Sequence, residues 1–392
     1  MANVLTSLIP DIIQSLDVVS REQVGFIPAV FRNSTAERAA LNQPVRYPIT
    51  GAEAAMDITA AVTAPNAGDN TLTNGTITIT KSRGVPVRWN GEEQKGAMNS
   101  GWYAQILGQQ FQQAFRTLTN EMETDLASSY ILSSRAVGTI GADPFATAND
   151  LSDFANSIKL LKDNGAGSSD LKLVMNTTAA SNIRAKQGIL LKVNESGQSD
   201  RLVNGSLGRV EGFDLGESAQ IVSHVIGSVT GTVTATAAKG ATSITLTTAA
   251  GAAVAIKAGD IVYLAGDANQ YVAAADCTIG ASTTGTLTIS QPGLRVAASA
   301  AAVSVGAAYS ANMVFKSSAI HLVTRAPALP VDPSGKPMDM AEDIQYVTDP
   351  VSGIVFEIAA YKQFRQLLYM VSAAWGTQNV KPAHTGILIG KP

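Results

Sequence analysis

The sequence predicts an α+β fold that carries an inserted all-β domain. Three observations support this prediction: one long segment with helical periodicity, an alternation of helix and strand patterns after it, and an abrupt change of composition between residues 227 and 308. The chain of 392 residues is 45% hydrophobic and only 15% charged, which is typical of a folded protein with a surface of small polar residues. At about 150 residues for each domain, two or three domains are expected.

Charge and cysteine content narrow the function classes. The 28 Lys and Arg residues stand against 31 Asp and Glu residues, which gives a net charge of −3. Such a balance provides no basic footprint for sequence-independent binding of nucleic acid, so any contact of that kind must be local and weak. Cys277 is the only cysteine, which excludes an internal disulfide and a cysteine-based zinc site. This usage fits a protein that folds in a reducing cytoplasm.

Neither a secretion signal nor a membrane helix is expected. Residues 1–20 lack the basic start of a signal peptide, and Asp11 and Asp17 interrupt their apolar stretch. No apolar run reaches the ~20 residues that a membrane-spanning helix needs.

Residues 1–50 are predicted to form an N-terminal arm. Apolar residues at helical spacing over Thr6–Leu16 indicate a short amphipathic helix, which Pro10 would kink or split. The chain onward to Tyr47 is polar and has too few apolar positions to bury itself. We therefore expect an extended arm that lies on another surface.

Residues 51–90 are predicted to form an extended β-hairpin. Ile77 and Ile79 alternate with threonines, and Asn74 and Gly75 supply turn chemistry. The faces of this hairpin are mostly Thr and Ala, and an isolated hairpin is marginally stable in water. Its burial, like that of the arm, is expected to come from neighbouring subunits.

Residues 91–148 contain the strongest helical pattern of the chain. Apolar side chains recur every three or four positions, at Tyr103, Ile106, Leu107, Phe111, Ala114, Phe115, Leu118, Met122, Leu126 and Tyr130. One helix from Asn99 to Ser134 is predicted, about 54 Å long at 1.5 Å per residue. Phe111, Phe115 and Met122 are interpreted as core residues, because core packing explains such spacing far more often than a cofactor pocket does.

Residues 149–226 and 309–392 are predicted to form one mixed α/β domain. Its first part contains a helix that stops at Gly165, a buried strand over Leu171–Met175 and a short helix capped by Asn176. Strands in the second part are expected at Ala319–Thr324, Ile354–Tyr361 and Leu367–Trp375, with a buried apolar end at Ile387–Ile389.

Residues 227–308 are predicted to form the inserted domain. Thr, Ala, Gly and Val dominate there, and short strands are expected at Gly231–Thr236, Ser243–Thr247, Ile261–Leu264, Gln270–Ala273, Gly285–Ser290 and Ala301–Val305. Evenly spaced short strands favour a small β-barrel or sandwich. Because the α/β pattern resumes at Asn312, the stretch is interpreted as an insertion that folds by itself.

We predict no catalytic, cofactor-binding or metal-binding residues, and therefore no enzymatic activity. His224, His321 and His384 each stand without a carboxylate or nucleophile at motif spacing, so they are interpreted as structural. The segment 386–391 is one residue short of a phosphate-binding loop, and Pro392 follows where Ser or Thr should stand. Five further carboxylates were considered as a calcium site: Asp332, Asp339, Glu342, Asp343 and Asp349. They lack the spacing and the central glycine of a calcium loop and are interpreted as solvated loop charges.

The order of these parts resembles that of tailed-phage major capsid proteins of the Hong Kong 97 type. Three short motifs carry the resemblance: Val87–Asn90 before the long helix, Leu173–Thr178 at a strand-to-helix step, and Val210–Asp214 at the next turn. A narrower likeness is to the coat proteins of short-tailed (podovirus) enterobacterial phages, which carry a β-barrel insertion domain. Lys257–Gly266 resembles a strand of that domain, and Trp375–Pro382 is similar to the C-terminal strand of the group.

The resemblance implies a subunit of an icosahedral virion shell that encloses a double-stranded DNA genome and assembles in the host cytoplasm. It assigns residues 51–90 to an E-loop, 91–148 to the spine helix and peripheral domain, 149–226 to the axial domain, and 309–392 to the rest of both domains. The implied partners are further copies of the chain in hexamers and pentamers, portal and scaffolding proteins, and weakly bound packaged DNA. No cofactor and no membrane are implied.

Two alternatives remain open from the sequence. An encapsulin-like bacterial compartment shares the shell fold but encloses enzymes, and the inserted β-domain argues against it. A Thr- and Ala-rich surface adhesin is the other, and the missing secretion signal and the long helix make it the weaker.

Overall fold

A computed structural model describes residues 25–49, 55–58, 60, 62–63, 73–147, 150–186, 208–334, 338–348 and 353–392. Within these ranges the chain forms four α-helices and 23 β-strands, so strands dominate a mixed α and β architecture. The helix predicted over Thr6–Leu16 lies outside the described residues.

Two separate pairings replace the single hairpin that was predicted over residues 51–90. Strand β2 (Pro44–Ile49) pairs antiparallel with β3 (Thr73–Thr78). Strand β4 (Lys81–Asn90) instead pairs antiparallel with β22 (Gln366–Asn379). The sequence predicted no strand at Pro44–Ile49, because Pro44 and Pro48 interrupt it. An edge strand nevertheless tolerates proline at positions where the backbone N–H would otherwise face solvent.

The long helix is interrupted, so the prediction of one helix over 99–134 is wrong. Helix α1 spans Gly91–Asn99, and helix α2 spans Tyr103–Ala127, which makes α2 about 37 Å long. Gly101 lies between them with φ of +77°, a conformation that ends a helix and that glycine adopts without strain. A 3₁₀ turn over Ser128–Leu132 follows α2.

Helix α2 packs on a six-stranded sheet. Besides β4 and β22, this sheet contains β1 (Phe31–Ala39), β19 (Ile320–Pro327), β20 (Ala341–Thr348) and β21 (Val355–Gln363). The strand order is β1, β19, β22, β21, β20, and β4 lies along β22. The shared core is centred on Leu118, Met122 and Leu126 of the helix and on Phe356 and Trp375 of the sheet.

A second sheet has twelve strands, and half of them form the α/β body. These are β5 (Arg135–Val137), β6 (Leu171–Met175), β7 (Arg209–Val210), β8 (Phe213–Glu217), β18 (Ser310–Lys316) and β23 (Thr385–Gly390). Helices α3 (Ser152–Asp163) and α4 (Thr177–Ala185) belong to the body. The predicted cap of α4 is confirmed, because Asn176 Oδ1 accepts a hydrogen bond of 2.9 Å from Ala179 N.

The strands between residues 228 and 305 form the other half of this sheet and a separate three-stranded sheet. They are β9 (Ser228–Thr230), β10 (Val233–Ala237), β11 (Ser243–Thr248), β12 (Ala253–Ile256), β13 (Ile261–Leu264), β14 (Gln270–Val272), β15 (Cys277–Ile279), β16 (Thr284–Thr288) and β17 (Ala298–Val305). The row β16, β11, β10, β17, β13, β14 closes on itself through a bridge between Ala273 and Ile289. This barrel encloses its own apolar core, while β14 also pairs with β5 of the body.

Candidate assembly surfaces

The described part of the N-terminal region is anchored on helix α2. The carboxylate of Glu123 accepts hydrogen bonds from the backbone N–H groups of Gly25, Phe26 and Ile27 at 2.6, 2.6 and 3.0 Å. Burial raises the pKa of Glu123, and these three bonds oppose that rise. A Cβ atom at Gly25 would lie 2.6 Å from the backbone oxygen of Glu217, so this close approach requires glycine.

Strand β1 pairs within its own chain, which corrects the expectation that the whole arm needs another subunit. It runs parallel to β19 at the edge of the six-stranded sheet. The Arg38 guanidinium donates to the carbonyl of Pro327 at 2.7 Å and lies 2.7 Å from the Glu357 carboxylate. Burial raises the pKa of Glu357, and Arg38 lowers it. The sequence prediction failed because the partner of this polar strand lies almost 300 residues away.

Among the described residues of the β2–β3 hairpin, those at its base are packed. Ile77 and Ile79 are buried against Ala39 of β1, Val323 of β19 and Ala374 of β22. The connection between β2 and β3, residues 50–72, is called the hairpin segment below. Among its described residues, the apolar side chains of Met56, Ile58 and Val62 are exposed, and Ile58 and Val62 are exposed completely.

A second group of exposed apolar side chains lies before and within strand β20. Val331, Met338, Met340 and Tyr346 are exposed, with Met340 at 84%, and we call these four residues the loop surface. Strand β20 pairs only with β21 among the described strands, so one of its edges is open. Monomeric proteins seldom expose large contiguous apolar patches, which commonly mark binding surfaces.

The acidic residues considered as a calcium site have separate local partners. Asp332 accepts from the backbone and hydroxyl of Ser334, Asp339 accepts from the hydroxyl of Tyr361 at 2.7 Å, and Glu342 pairs with Lys362. Asp343 accepts from Gln345, and Asp349 lies outside the described residues. In the described part of the chain, no group of three or more His, Cys, Asp or Glu side chains is placed to hold a metal ion.

The three histidines occupy different environments. His321 lies beside the rings of Phe31 and Tyr47 at 4.7 and 5.8 Å. His384 is buried, and its Nδ1 has no hydrogen-bond partner. Burial is the main cause that lowers the pKa of His384, and two nearby lysines lower it further. His224 is different from the sequence interpretation, because the fold brings the Asp260 carboxylate to 2.8 Å from its Nε2. No motif spacing predicts that contact across 36 residues.

The apolar face of helix α2 is a packing face, as the sequence interpretation held. Met122 is fully buried, Phe115 lies 5.2 Å from the ring of Phe356, and Phe111 meets Tyr369 edge-on at 5.3 Å. Residues 386–390 of the segment that resembles a phosphate loop lie in the fully buried strand β23, and Lys391 follows the strand and is exposed. A buried strand presents no free backbone N–H groups to a phosphate, so the sequence interpretation as a chance match agrees with this placement.

Two cavities lie against residues that could have formed a site. One of about 480 Å³ lies beside helix α3 and the inserted barrel, and is lined by polar groups that include Arg135, Asp153 and Gln270. The Asp153 carboxylate accepts a hydrogen bond of 2.7 Å from Phe145 N. The other, about 540 Å³, lies between β4 and α2 and is lined by Val85, Ala114 and neighbouring residues. Neither set of lining residues pairs a nucleophile with a histidine base.

In the described part of the chain, no helix is long and apolar enough to cross a membrane.

No family model matches the chain, and no curated protein matches it in sequence. A structure of Mycobacterium phage Che8 is similar, with 13% identity, a TM-score of 0.42, and coverage of 88% of this chain and 84% of that chain. The capsid structure of the cyanophage P-SCSP1u has 10% identity, a TM-score of 0.43, and coverage of 94% and 89%. The capsid of the Myoviridae phage XM1 has 10% identity, a TM-score of 0.40, and full coverage of both chains. Because these TM-scores are below 0.5, the proposed function is drawn from the arrangement of this chain's own residues.

Proposed function

We propose that the chain is the major capsid subunit of a tailed bacteriophage with the Hong Kong 97-type fold, and that it acts as a shell protein without catalytic activity. One observation carries the proposal. The chain leaves Met56, Ile58 and Val62, among the described residues of the hairpin segment, exposed to solvent, and it exposes a second group of apolar side chains at the loop surface. Two such unsatisfied surfaces on one chain favour repeated contact between copies.

The order of elements supports the same proposal. An anchored N-terminal region, a projecting hairpin, a long helix, and an α/β body with an inserted barrel follow one another along the chain. This is the order that the sequence resemblance implies for a phage shell subunit. The closed barrel between residues 228 and 305 supports the narrower proposal of a podovirus-type coat protein.

Within a shell, the hairpin segment of one copy is proposed to lie over the loop surface of the next copy. The side chains of Ile58 and Val62 would then leave water and pack against Met338, Met340 and their neighbours. Full burial of one such side chain stabilises by roughly 1.5–3 kcal/mol. Repetition of this contact around a ring of copies makes a weak single contact sufficient for hexamers and pentamers. Portal and scaffolding proteins, and weak contact with packaged DNA, complete the proposed partners in the virion.

Assembly of an Ile58→Asp variant tests this proposal. A charge at a fully exposed position leaves the folded subunit stable, whereas burial of that charge in a contact between copies costs several kcal/mol. We expect a monomer with unchanged melting temperature that forms no closed shells by electron microscopy. Val296→Asp is the matched control, because Val296 is about half exposed on the inserted barrel. Normal shells from Ile58→Asp would contradict the proposed contact.

The contents of purified particles test the remaining part of the proposal. Shells that protect double-stranded DNA from nuclease support a phage capsid. Shells that copurify with a stoichiometric enzyme, and never with DNA, would instead assign the chain to an encapsulin-like compartment.

A further inference from the structure

The inserted barrel joins the body at a buried junction of four chain segments. Tyr130 comes from the 3₁₀ turn after α2, His224 from the crossing into the insert, and Tyr309 from the crossing out of it. Gly259 and Asp260 come from a loop of the insert itself. The two crossings run together, because His224 N donates to the backbone oxygen of Tyr309 at 2.8 Å.

Hydrogen bonds at this junction determine which imidazole nitrogen of His224 carries the proton. Asp260 is completely buried, and its carboxylate accepts from Gly227 N at 3.0 Å and from Lys257 N at 2.8 Å. The Asp260 Oδ1 atom lies 2.8 Å from His224 Nε2. Toward an ionised carboxylate, which only accepts, Nε2 donates the hydrogen. In a neutral imidazole the Nδ1 atom would then accept from the Tyr130 hydroxyl, which lies 2.7 Å away.

The imidazole of His224 is closely packed. Gly259 has φ of +97°, and a Cβ atom there would lie 2.9 Å from ring carbons of both His224 and Tyr130. The Tyr309 hydroxyl donates to the carbonyl of Gly259 at 2.5 Å, and its ring centroid lies 5.3 Å from that of His224. The titratable groups that face His224 are therefore Tyr130, Asp260 and Tyr309.

The barrel is attached to the body at other places as well. Ile261 and Val272 of the insert share a buried apolar cluster with Ala136 and Ile387 of the body. A seam of two residue pairs also joins β14 to β5, Gln270 with Ala136 and Tyr271 with Arg135. The Arg135 guanidinium crosses this seam to Asn269 Oδ1 at 2.6 Å. So short a seam constrains rotation weakly by itself. The orientation of the barrel on the body therefore depends on the junction together with the apolar cluster.

We propose that His224 is a positioning residue, held as the Nε2–H tautomer, that couples Tyr130 of the body to Asp260 of the insert and so contributes to the orientation of the inserted barrel. No hydrogen bond joins Tyr130 directly to Asp260 in the described part of the chain, so the imidazole is the link between them. The inference concerns the folded subunit and does not depend on whether the chain forms shells.

A double-mutant cycle in the full-length protein, followed by hydrogen exchange and mass spectrometry, tests the proposal. Tyr130→Phe removes only the hydroxyl, and we expect exchange at residues 221–229, 256–262 and 270–272 to rise about tenfold, with residues 243–248 of the barrel core unchanged. In Asp260→Asn the side-chain amide of the new residue can donate to Nε2, so the ring hydrogen of His224 is no longer fixed on Nε2. In that background Tyr130→Phe should add less than about threefold.

Tyr361→Phe is the matched control, because it removes a tyrosine hydroxyl that donates to another carboxylate, Asp339, away from the junction. It should leave the three junction segments unchanged. Fully additive effects of Tyr130→Phe and Asp260→Asn, or no change of exchange in either variant, would overturn the coupling.

The tautomer is tested separately in the wild-type protein, so that an unfolded Asp260→Asn variant would not leave the question open. The chain has 3 histidines, and ¹⁵N-histidine spectra can be assigned by comparison with His321→Gln and His384→Gln variants. We expect a slowly exchanging Nε2–H resonance for His224. An Nδ1–H tautomer, or rapid exchange of the ring proton, would refute the proposal.

Discussion

At the residue scale, the polar groups that matter most in this chain are buried ones with partners far away in sequence. The Glu123 carboxylate accepts from three backbone N–H groups near residue 25. The Arg38 guanidinium donates to the carbonyl of Pro327 and pairs with the Glu357 carboxylate. Each of these contacts satisfies groups that would cost about 1–3 kcal/mol if left unpaired in the interior. His384 is an exception, because its buried Nδ1 has no partner.

The environment of His384 predicts a loss of stability in acid. Burial, with Lys381 and Lys316 nearby, lowers its pKa below the ordinary value of 6.5. The unfolded chain therefore binds a proton at a pH where the folded chain does not, and the free energy of unfolding falls as the pH drops below about 6.5. We expect the melting temperature of wild type to decrease between pH 7 and pH 5, and to decrease less in His384→Gln. The pKa of His321 is also lowered, so His321 accounts for part of the pH dependence that remains in His384→Gln. If the melting temperatures of wild type and of the double variant His321→Gln, His384→Gln depended equally on pH, the prediction would be wrong.

At the element scale, helix α2 links the chain together. It packs on the six-stranded sheet with one face, anchors residues 25–27 through Glu123, and leads into the turn that carries Tyr130. The interpretation of its apolar side chains as packing residues was right. The structure shows that they are buried to different extents, because Met122 is fully buried and Phe115 only partly.

This grading predicts the order of two core substitutions. Met122→Ala should lower the free energy of unfolding by about 2–5 kcal/mol, the range for fully buried side chains. Phe115→Ala should cost less, about 1–3 kcal/mol, because solvent already reaches part of the ring. Chemical denaturation of the monomer measures both, and a larger loss for Phe115→Ala would show that the face is oriented differently.

The anchor on α2 also predicts where the N-terminal region can be cut. Deletion of residues 1–24 leaves Phe26 and Ile27 in the core, so the subunit should remain folded but fail to form regular shells. Deletion of residues 1–30 removes those two buried side chains and should lower the melting temperature markedly. Circular dichroism and electron microscopy distinguish the two outcomes. Regular shells from the shorter deletion would show that residues 1–24 are dispensable.

At the scale of the whole molecule, the inserted barrel is both separate and attached. Its own core includes Ile244, Leu246, Leu287 and Ile289. A different cluster, with Ile261 and Val272 on the insert side, packs against Ala136, Tyr309 and strand β23 of the body. We propose domain boundaries at residues 227 and 308, and the adjacent crossings support excision there because chain ends that lie close together need no long linker.

An isolated fragment of residues 227–308 is therefore expected to fold, with β-type circular dichroism and dispersed amide resonances. Ile261 would lose its body-side neighbours in this fragment, whereas Leu287 stays in the barrel core. Ile261→Thr should thus destabilise the full-length protein more than the fragment, and Leu287→Thr should destabilise both. A fragment that remains unfolded in native buffer would show that the barrel needs the body.

Local sequence patterns predicted many of the helices and strands and their order along the chain, although they missed β9, β12 and β15 of the insert. Strand Leu171–Met175, the Asn176 cap, the buried end at Ile387–Ile389 and the six short strands of the insert follow from side-chain periodicity and turn chemistry, which act over a few residues. The same local rules indicated a folded α+β chain without enzyme motifs. They overestimated the long helix at both ends. Gly101 in the left-handed conformation separates α1 from α2, and a 3₁₀ turn replaces the last residues of the predicted helix.

Only the tertiary structure decided which elements meet. Pairing of β1 with β19, of β4 with β22 and of β14 with β5 joins segments separated by more than 100 residues, and nothing in a strand's own sequence specifies so distant a partner. The contacts of Glu123, Arg38 and His224 follow from those pairings. Chain topology, rather than local preference, brings these groups together, because the loop-closure entropy of a distant contact is offset only when the whole core forms at once.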